Sequence, residues 1–160
     1  GKGRQWEKVL ELFNLMEGRG LKLGVITFNA AISAFEKSRQ WEKALGLFNS
    51  MEGRGVQPDV ITCNATISAC EKGGQWEKAL ELFDSMEGRG LKPNVITFSA
   101  AISACEKGGQ WEKALEMFNS MEGCGVQPGV ITFNAAISAC EKGGQWKKAL
   151  ELFNSMEDRG

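Results

Sequence analysis

The chain repeats itself every 35 residues along its whole length. The tripeptide Val-Ile-Thr starts at four positions with this step: Val25, Val60, Val95 and Val130. The five tryptophans keep the same step: Trp6, Trp41, Trp76, Trp111 and Trp146. A fixed period of this size is typical of a solenoid, in which one supersecondary unit is stacked on copies of itself.

The period divides the chain into one broken repeat and four further units. We predict a partial repeat over 1–24, repeats over 25–59, 60–94 and 95–129, and a nearly complete repeat over 130–160. Because the chain opens in mid-repeat and stops before one is finished, we expect it to be a fragment of a longer array.

Each unit carries two apolar stripes with helical spacing. The first stripe falls at i, i+3, i+4 and i+7: Phe28, Ala31, Ile32 and Phe35. The second follows a short break and keeps a helical spacing: Trp41, Ala44, Leu45, Phe48 and Met51. Thr27, just before the first stripe, is the expected N-cap. Helices this short cannot bury their stripes alone, so we predict an all-α fold of stacked two-helix repeats, an α-solenoid.

Composition excludes several classes of function. The chain contains no His, the commonest general base and metal ligand, and no nucleophile–base arrangement is visible. Its five cysteines form no C-x-x-C pair, and three of them share a column with Phe35 on an apolar stripe: Cys70, Cys105 and Cys140. We therefore expect buried packing cysteines and no catalytic residue, metal, cofactor or small-molecule substrate. No apolar run is long enough to span a membrane, so no membrane partner is expected.

Several motifs of each repeat resemble those of the pentatricopeptide repeat family. The motifs are the run Val60-Ile61-Thr62-Cys63-Asn64-Ala65-Thr66-Ile67, then Ala79-Leu80-Glu81-Leu82-Phe83, Met86, Gly90 and Pro93-Asn94-Val95. The resemblance recurs in every repeat and implies a right-handed α–α superhelix that binds single-stranded RNA. The expected reading is about one base per repeat, with the N-terminal repeat toward the RNA 5′ end.

The resemblance also implies three sets of contact residues. Base-reading residues would be one position in each first helix and the last residue of each repeat: Asn29, Asp59, Asn64, Asn94, Ser99, Gly129 and Asn134. Base-sandwiching residues, expected just ahead of each helix start, would be Ile26, Ile61, Ile96 and Ile131. Phosphate-contacting residues would be Lys37, Lys72, Lys107 and Lys142.

Each set has a simpler explanation in residue chemistry alone. The asparagines could be solvated or capping residues, and Asp59 and Asn94 suit a turn or helix entry. The isoleucines could pack between repeats, and a lysine at a helix C-terminus is favoured by the helix dipole. Gly129 has no side chain with which to read a base.

The family's pairing rule makes Asn29 with Asp59 a uracil reader. Asn64 with Asn94 should prefer a pyrimidine, with cytosine favoured. Ser at the next reading position weakly suggests a purine, and Asn134 lacks its partner within the chain. The expected preference is therefore 5′-U-pyrimidine-N-N-3′.

Two functions remain open at this point. The first is a sequence-selective RNA-binding module acting in organellar RNA processing, stability or translation, in a mitochondrion or chloroplast. The second is a protein- or peptide-binding helical scaffold. The net charge of -1 bears on the choice, because nucleic-acid affinity rests largely on Lys and Arg, so weak non-specific RNA binding is expected.

Overall fold

The computed structural model describes residues 5–159, and within that range the chain forms nine α-helices, two 3-10 turns and no strand. The helices are α1 Gln5–Gly18, α2 Val25–Lys37, α3 Trp41–Met51, α4 Val60–Lys72, α5 Trp76–Gly88, α6 Val95–Lys107, α7 Trp111–Ser120, α8 Val130–Lys142 and α9 Trp146–Asp158. The predicted all-α architecture is confirmed. Residues 1–4 and 160, at the outer edges of the predicted first and last repeats, lie outside the described residues.

The helices form two layers. The first helices of successive repeats pack on one another, α2 on α4, α4 on α6 and α6 on α8. The second helices α3, α5 and α7 each pack on the first helix of their own repeat and on that of the next repeat. No pair of second helices in the described chain makes an extensive contact. Since one layer is closely spaced and the other is spread apart, the stack bends, and the first helices line its inner side.

The first helices begin two residues earlier than Thr27 and its equivalents. The prediction of Thr27 as N-cap is wrong, because the helix starts at Val25 and the capping position is the residue before it. In α4 the capping residue is Asp59, whose side chain accepts from the backbone N–H of Thr62. The Thr62 hydroxyl in turn accepts from the backbone N–H of Asp59 at 3.0 Å. This capping box satisfies two N–H groups at the helix start and defines its first turn.

The two apolar stripes meet between the layers, as their spacing predicts. Phe28 of α2 is fully buried and meets Phe13 of α1 edge to face, with ring centroids 5.2 Å apart. Equivalent aromatic pairs recur at two later junctions, Phe83 with Phe98 and Phe118 with Phe133. The predicted burial of one packing column is also confirmed: Phe35, Cys70, Cys105 and Cys140.

Candidate functional site

The first predicted reading pair is joined by a direct hydrogen bond between α2 and the residue that caps α4. Asn29 Nδ2 donates to Asp59 Oδ1 at 3.2 Å, although the two residues are 30 positions apart. The hydroxyl of Thr62, which is fully buried, lies 2.5 Å from Asn29 Oδ1 and 2.8 Å from Asp59 Oδ1, so these two acceptors share its one hydrogen. The same Asp59 oxygen accepts from the Thr62 backbone N–H at 2.9 Å. Three residues from two repeats thus form one hydrogen-bonded cluster at the start of α4.

The second pair repeats this cluster with an amide in place of the carboxylate. Asn64 Nδ2 donates to Asn94 Oδ1 at 3.2 Å, and the Thr97 hydroxyl donates to Asn64 Oδ1 at 2.5 Å. Asn94 caps α6 by accepting from the Thr97 backbone N–H at 3.1 Å. Asn64 is only 9% exposed, because the following repeat covers it.

The third pair lacks the capping side chain. Ser99 Oγ lies 2.9 Å from the hydroxyl oxygen of Thr132, and the backbone N–H of Gly129 donates to that same threonine at 3.2 Å. Beside these residues lies an open groove of about 540 Å³, whose walls include Ile96 and Ile131. The missing side chain at Gly129 therefore leaves a recess where the earlier repeats place Asp or Asn.

The last reading residue, Asn134, is exposed, since no described repeat follows it. The predicted reading residues Asn29, Asn64 and Ser99 instead lie at the seams between successive first helices. The structure thus brings each predicted pair together, but it places the pairs in partly covered clefts rather than on an open surface.

Hydrogen bonding favours the ionised form of the Asp59 carboxyl. Partial burial pushes the pKa of this carboxyl upward, but hydrogen bonds from the backbone and hydroxyl of Thr62 and from Asn29 outweigh it. The pKa of Asp59 therefore lies below its ordinary value of 3.8. The carboxylate is ionised at neutral pH and can only accept hydrogen bonds.

The four isoleucines of the predicted sandwiching column project from the first turn of each first helix. The exposed fractions of these residues are 82%, 65%, 61% and 73% for Ile26, Ile61, Ile96 and Ile131. The expectation that they lie just ahead of the helices is wrong, because each helix begins one residue before its isoleucine. Exposure of this degree also removes inter-repeat packing as the reason for a large apolar residue at this position.

Three of the four predicted phosphate-contacting lysines are engaged in ion pairs. Each pairs with a glutamate one repeat earlier: Lys72 with Glu36 at 2.7 Å, Lys107 with Glu71 at 3.1 Å, and Lys142 with Glu106 at 3.2 Å. These glutamates are mostly buried, with side chains 17%, 14% and 16% exposed. Glu71 also accepts from the hydroxyl of Ser103, and Glu106 accepts from the hydroxyl of Ser138. The positive potential of the lysine column is therefore largely compensated.

Sequence reasoning missed the threonines that organise the site. Thr62, Thr97 and Thr132 are fully buried polar residues, and each connects the reading residue of one repeat to the helix start of the next. The sequence does contain a pattern that indicates this role. Asp59 and Asn94 are each followed three positions later by threonine, which is the spacing of a capping box.

Residues 5–159 show neither a metal-binding cluster nor a membrane-spanning helix. No group of three or more His, Cys, Asp or Glu side chains there is arranged to hold a metal ion. None of the described helices has the length and apolar character needed to cross a bilayer.

Comparison with known families accounts for the repeat and the paired helices. The profile of the PPR repeat family, the pentatricopeptide family, matches residues 23–72, 58–107 and 100–142. A second profile, described as the PPR repeat, matches residues 1–21 and 131–160. The chain belongs to the PPR repeat family. No curated protein sequence matches this PPR chain significantly.

Solved PPR structures superpose on nearly the whole chain. The PPR domain of Arabidopsis thaliana protein-only RNase P 1 (PRORP1), solved in complex with tRNA, has a TM-score of 0.84 at 17% identity and covers 98% of this chain and 82% of that one. Maize PPR10 in complex with an 18-nt psaJ RNA element has a TM-score of 0.73 at 27% identity. That match covers 99% of this chain and 26% of PPR10, so the chain spans about a quarter of the length of PPR10.

Proposed function

We propose that this PPR chain is a sequence-selective single-stranded RNA-binding module that reads about one base per repeat. The observation that carries the proposal is the repeated pairing of the reading residues, Asn29 with Asp59 and Asn64 with Asn94, along the layer of first helices. Family membership and the RNA bound to PPR10 support the same function.

The capping box explains how the second residue of each of the first two pairs can select a base. A capping side chain must accept from the helix N–H groups, so one oxygen of Asp59 or Asn94 faces the helix start. The other polar atom of the same side chain is left for a ligand. In Asp59 this atom is an acceptor oxygen, and in Asn94 it is a donor nitrogen.

The two clusters therefore offer different partners to a pyrimidine. Asn29 keeps one Nδ2 hydrogen beside the free oxygen of Asp59, a donor next to an acceptor, which suits the carbonyl and N3–H of uracil. Asn64 and Asn94 both offer amide hydrogens, which suit the O2 and N3 acceptors of cytosine. This chemistry supports the preference 5′-U-pyrimidine-N-N-3′.

The exposed isoleucines and the lysine column complete the proposed interface. An aliphatic side chain on each side of a base would shield its face from water, as stacking platforms do in other single-strand binders. The ion pairs of Lys72, Lys107 and Lys142 reduce their strength as phosphate ligands. Binding should therefore be weak, dependent on base identity and only modestly sensitive to salt.

The cellular role proposed for the module is RNA processing, stabilisation or translation in a mitochondrion or chloroplast. The basis is the resemblance to organellar members of the family. No chemistry of its own is proposed, and the repeats would act by positioning RNA.

A competition assay with short RNAs tests base selection. The substitution Asn29→Thr, with Asp59 retained, should shift the preference at the corresponding base from U toward G, while the base read by Asn64 is unchanged. Asn119→Thr, on the exposed side of α7, is the matched control and should alter neither preference. An unchanged U preference in Asn29→Thr, with intact helical content, would contradict the proposed role of the pair.

A second candidate function, binding of a protein or peptide, is favoured by the compensated charge of the lysine column. Titration with U/C-rich RNA separates the two. Saturable binding that differs between sequences supports RNA reading, and its absence at low salt favours the scaffold.

A further inference from the structure

One position near the end of each second helix carries arginine in every repeat but one. The five copies are Arg19, Arg54, Arg89, Cys124 and Arg159. At three of them the guanidinium pairs with a glutamate 37 residues earlier in the chain: Arg54 with Glu17, Arg89 with Glu52 and Arg159 with Glu122. These ion pairs connect successive repeats on the side of the second helices.

The same guanidinium groups also lie over aromatic rings. The Arg54 guanidinium carbon is 5.5 Å from the centroid of Phe13 and 5.8 Å from that of Phe28. Arg89 lies 5.1 Å from the centroid of Phe48. A glutamate and an aromatic surface therefore form a repeated receptor for arginine within this chain.

At Cys124 the receptor is present but its arginine is missing. Phe83 and Phe98 meet edge to face at 5.1 Å, as Phe13 and Phe28 do, and Glu87 stands in the glutamate column. The backbone is unchanged as well. Cys124 ends a 3-10 turn followed by Gly125 with φ 75°, and Arg54 ends the same turn followed by a glycine with φ 74°. The two turns therefore share one backbone conformation and differ in the side chain at this position.

A cavity of about 580 Å³ marks this junction, and its walls include Phe83, Glu87, Phe98 and Cys124. One repeat earlier, where Arg89 contributes to the wall, the cavity that shares four equivalent positions measures about 300 Å³. At the shared position the smaller cavity is lined by the long side chain of Arg89 and the larger one by the short side chain of Cys124.

The cavity has also gained a negative charge. Asp84 lines it, whereas the other copies of that position are asparagine: Asn14, Asn49, Asn119 and Asn154. Lys92 is the one cation in the lining, so two carboxylates face a single ammonium group. An aromatic, acidic recess of this kind attracts a cation from outside.

We propose that this recess is a binding site for the arginine side chain of a partner protein. The arginine slot consists of Phe83, Asp84, Glu87, Phe98 and Cys124. Arginine fits better than lysine because its planar guanidinium can stack on a ring while its N–H groups reach carboxylates. The slot shares no lining residue with the groove beside Ser99, so a protein and an RNA can bind at the same time.

Binding can be measured on the full chain with three blocked peptides, Gly-Arg-Gly, Gly-Lys-Gly and Gly-citrulline-Gly. Citrulline keeps the shape of arginine without its charge. NMR shift changes near Phe83, and slower alkylation of Cys124, report occupancy. We expect the arginine peptide to bind about tenfold more tightly than the citrulline peptide. Equal binding of the two, or none by either, would overturn the proposal.

Two variants connect the binding to the slot. Cys124→Arg should fill it, abolish peptide binding in the NMR assay and raise the thermal unfolding midpoint by about 2–4 °C. Glu87→Gln should weaken binding of the arginine peptide. Glu116→Gln, on the exposed side of α7, should leave that binding unchanged. Undiminished peptide binding by Cys124→Arg would place the site elsewhere.

Peptide binding to the arginine slot can be tested separately from RNA binding. Cys124→Arg should bind U/C-rich RNA as the parent does, and RNA should not displace the arginine peptide. Displacement by RNA would assign the recess to the nucleic-acid surface and overturn the protein-partner proposal. Failure of RNA binding altogether would leave the peptide result unaffected.

Discussion

The Cα of Gly73 lies so close to the indole of Trp41 that a Cβ added to it would stand 2.3 Å from Trp41 Cδ1. The same contact joins Gly108 to Trp76 and Gly143 to Trp111. The tryptophans that start α3, α5 and α7 thus pack on the glycine turn of the next repeat. Absence of a side chain at this position sets how closely the two repeats approach.

Gly73→Ala should therefore destabilise the fold. Because φ at Gly73 is −85°, the backbone accepts alanine, and the cost comes from displacing the indole. We expect a loss of about 1–3 kcal/mol in urea unfolding. Gly53→Ala is the matched control, since a Cβ added there would meet no atom within 4 Å, and it should change stability by less than about 0.5 kcal/mol. Equal effects of the two substitutions would contradict the packing argument.

The stability contributed by Asp59 should disappear in acid. Its carboxyl has a pKa below the ordinary 3.8 in the folded chain, so ionisation stabilises the fold above that pH and the contribution is lost as pH falls through the folded-state pKa. Asp59→Asn keeps a capping oxygen but does not titrate. The difference in unfolding free energy between parent and variant should be constant from about pH 7 to 5 and then shrink. A difference that grows in acid would reverse the sign of the proposed shift.

Thiol reactivity should separate Cys124 from the other four cysteines. Burial raises the pKa of Cys63, Cys70 and Cys105 to about 11, and it also raises that of Cys140. Cys124 is exposed on its turn. Alkylation of the native chain at mildly basic pH should modify Cys124 rapidly and the others only after denaturation. Peptide mapping by mass spectrometry checks the assignment, and early modification at Cys70 would show that the core opens locally.

Breaking the ion pair between Lys72 and Glu36 should strengthen RNA binding. Glu36→Gln removes the carboxylate that holds Lys72 at 2.7 Å, so its ammonium becomes free to contact phosphate. We expect tighter binding and a salt dependence steeper by up to about 0.7 in log–log slope, the value for one added phosphate contact on a single strand.

Glu81→Gln is the control for that experiment. Glu81 is exposed on α5 and makes no ion pair in the described part of the chain, so its loss changes net charge by the same amount without releasing a lysine. If both variants bind RNA with the same gain and the same slope, the effect is general electrostatics and the lysine column has no direct role.

Much of the architecture follows from local patterns. The stripe Phe28, Ala31, Ile32 and Phe35 predicted α2 and its buried face, and the structure places all four in the core. The helix start was predicted three residues late, because threonine can act either as the N-cap or as the third helical residue that completes a capping box. In α4 the hydrogen bond from the Thr62 backbone N–H to the Asp59 carboxylate identifies the second of these roles.

The sequence allowed the members of each proposed reading pair to be named, but it did not give the contacts between them. Asn29 and Asp59 belong to different helical pairs in space, and the hydrogen bond between them depends on how one repeat seats on the next. The same holds for the ion pair of Lys72 with Glu36. In this pair the glutamate compensates the positive charge of a lysine that the sequence suggested as a phosphate ligand.

The 35-residue period and the apolar spacing within it were enough to establish stacked helical pairs, because a helix brings together residues three and four positions apart whatever surrounds it. The seams between repeats were decided by packing. There, residues 30 to 37 positions apart meet, as Asn29 meets Asp59 and Arg89 meets Glu52. Their distances depend on the tilt and spacing of whole helices, which no local pattern encodes.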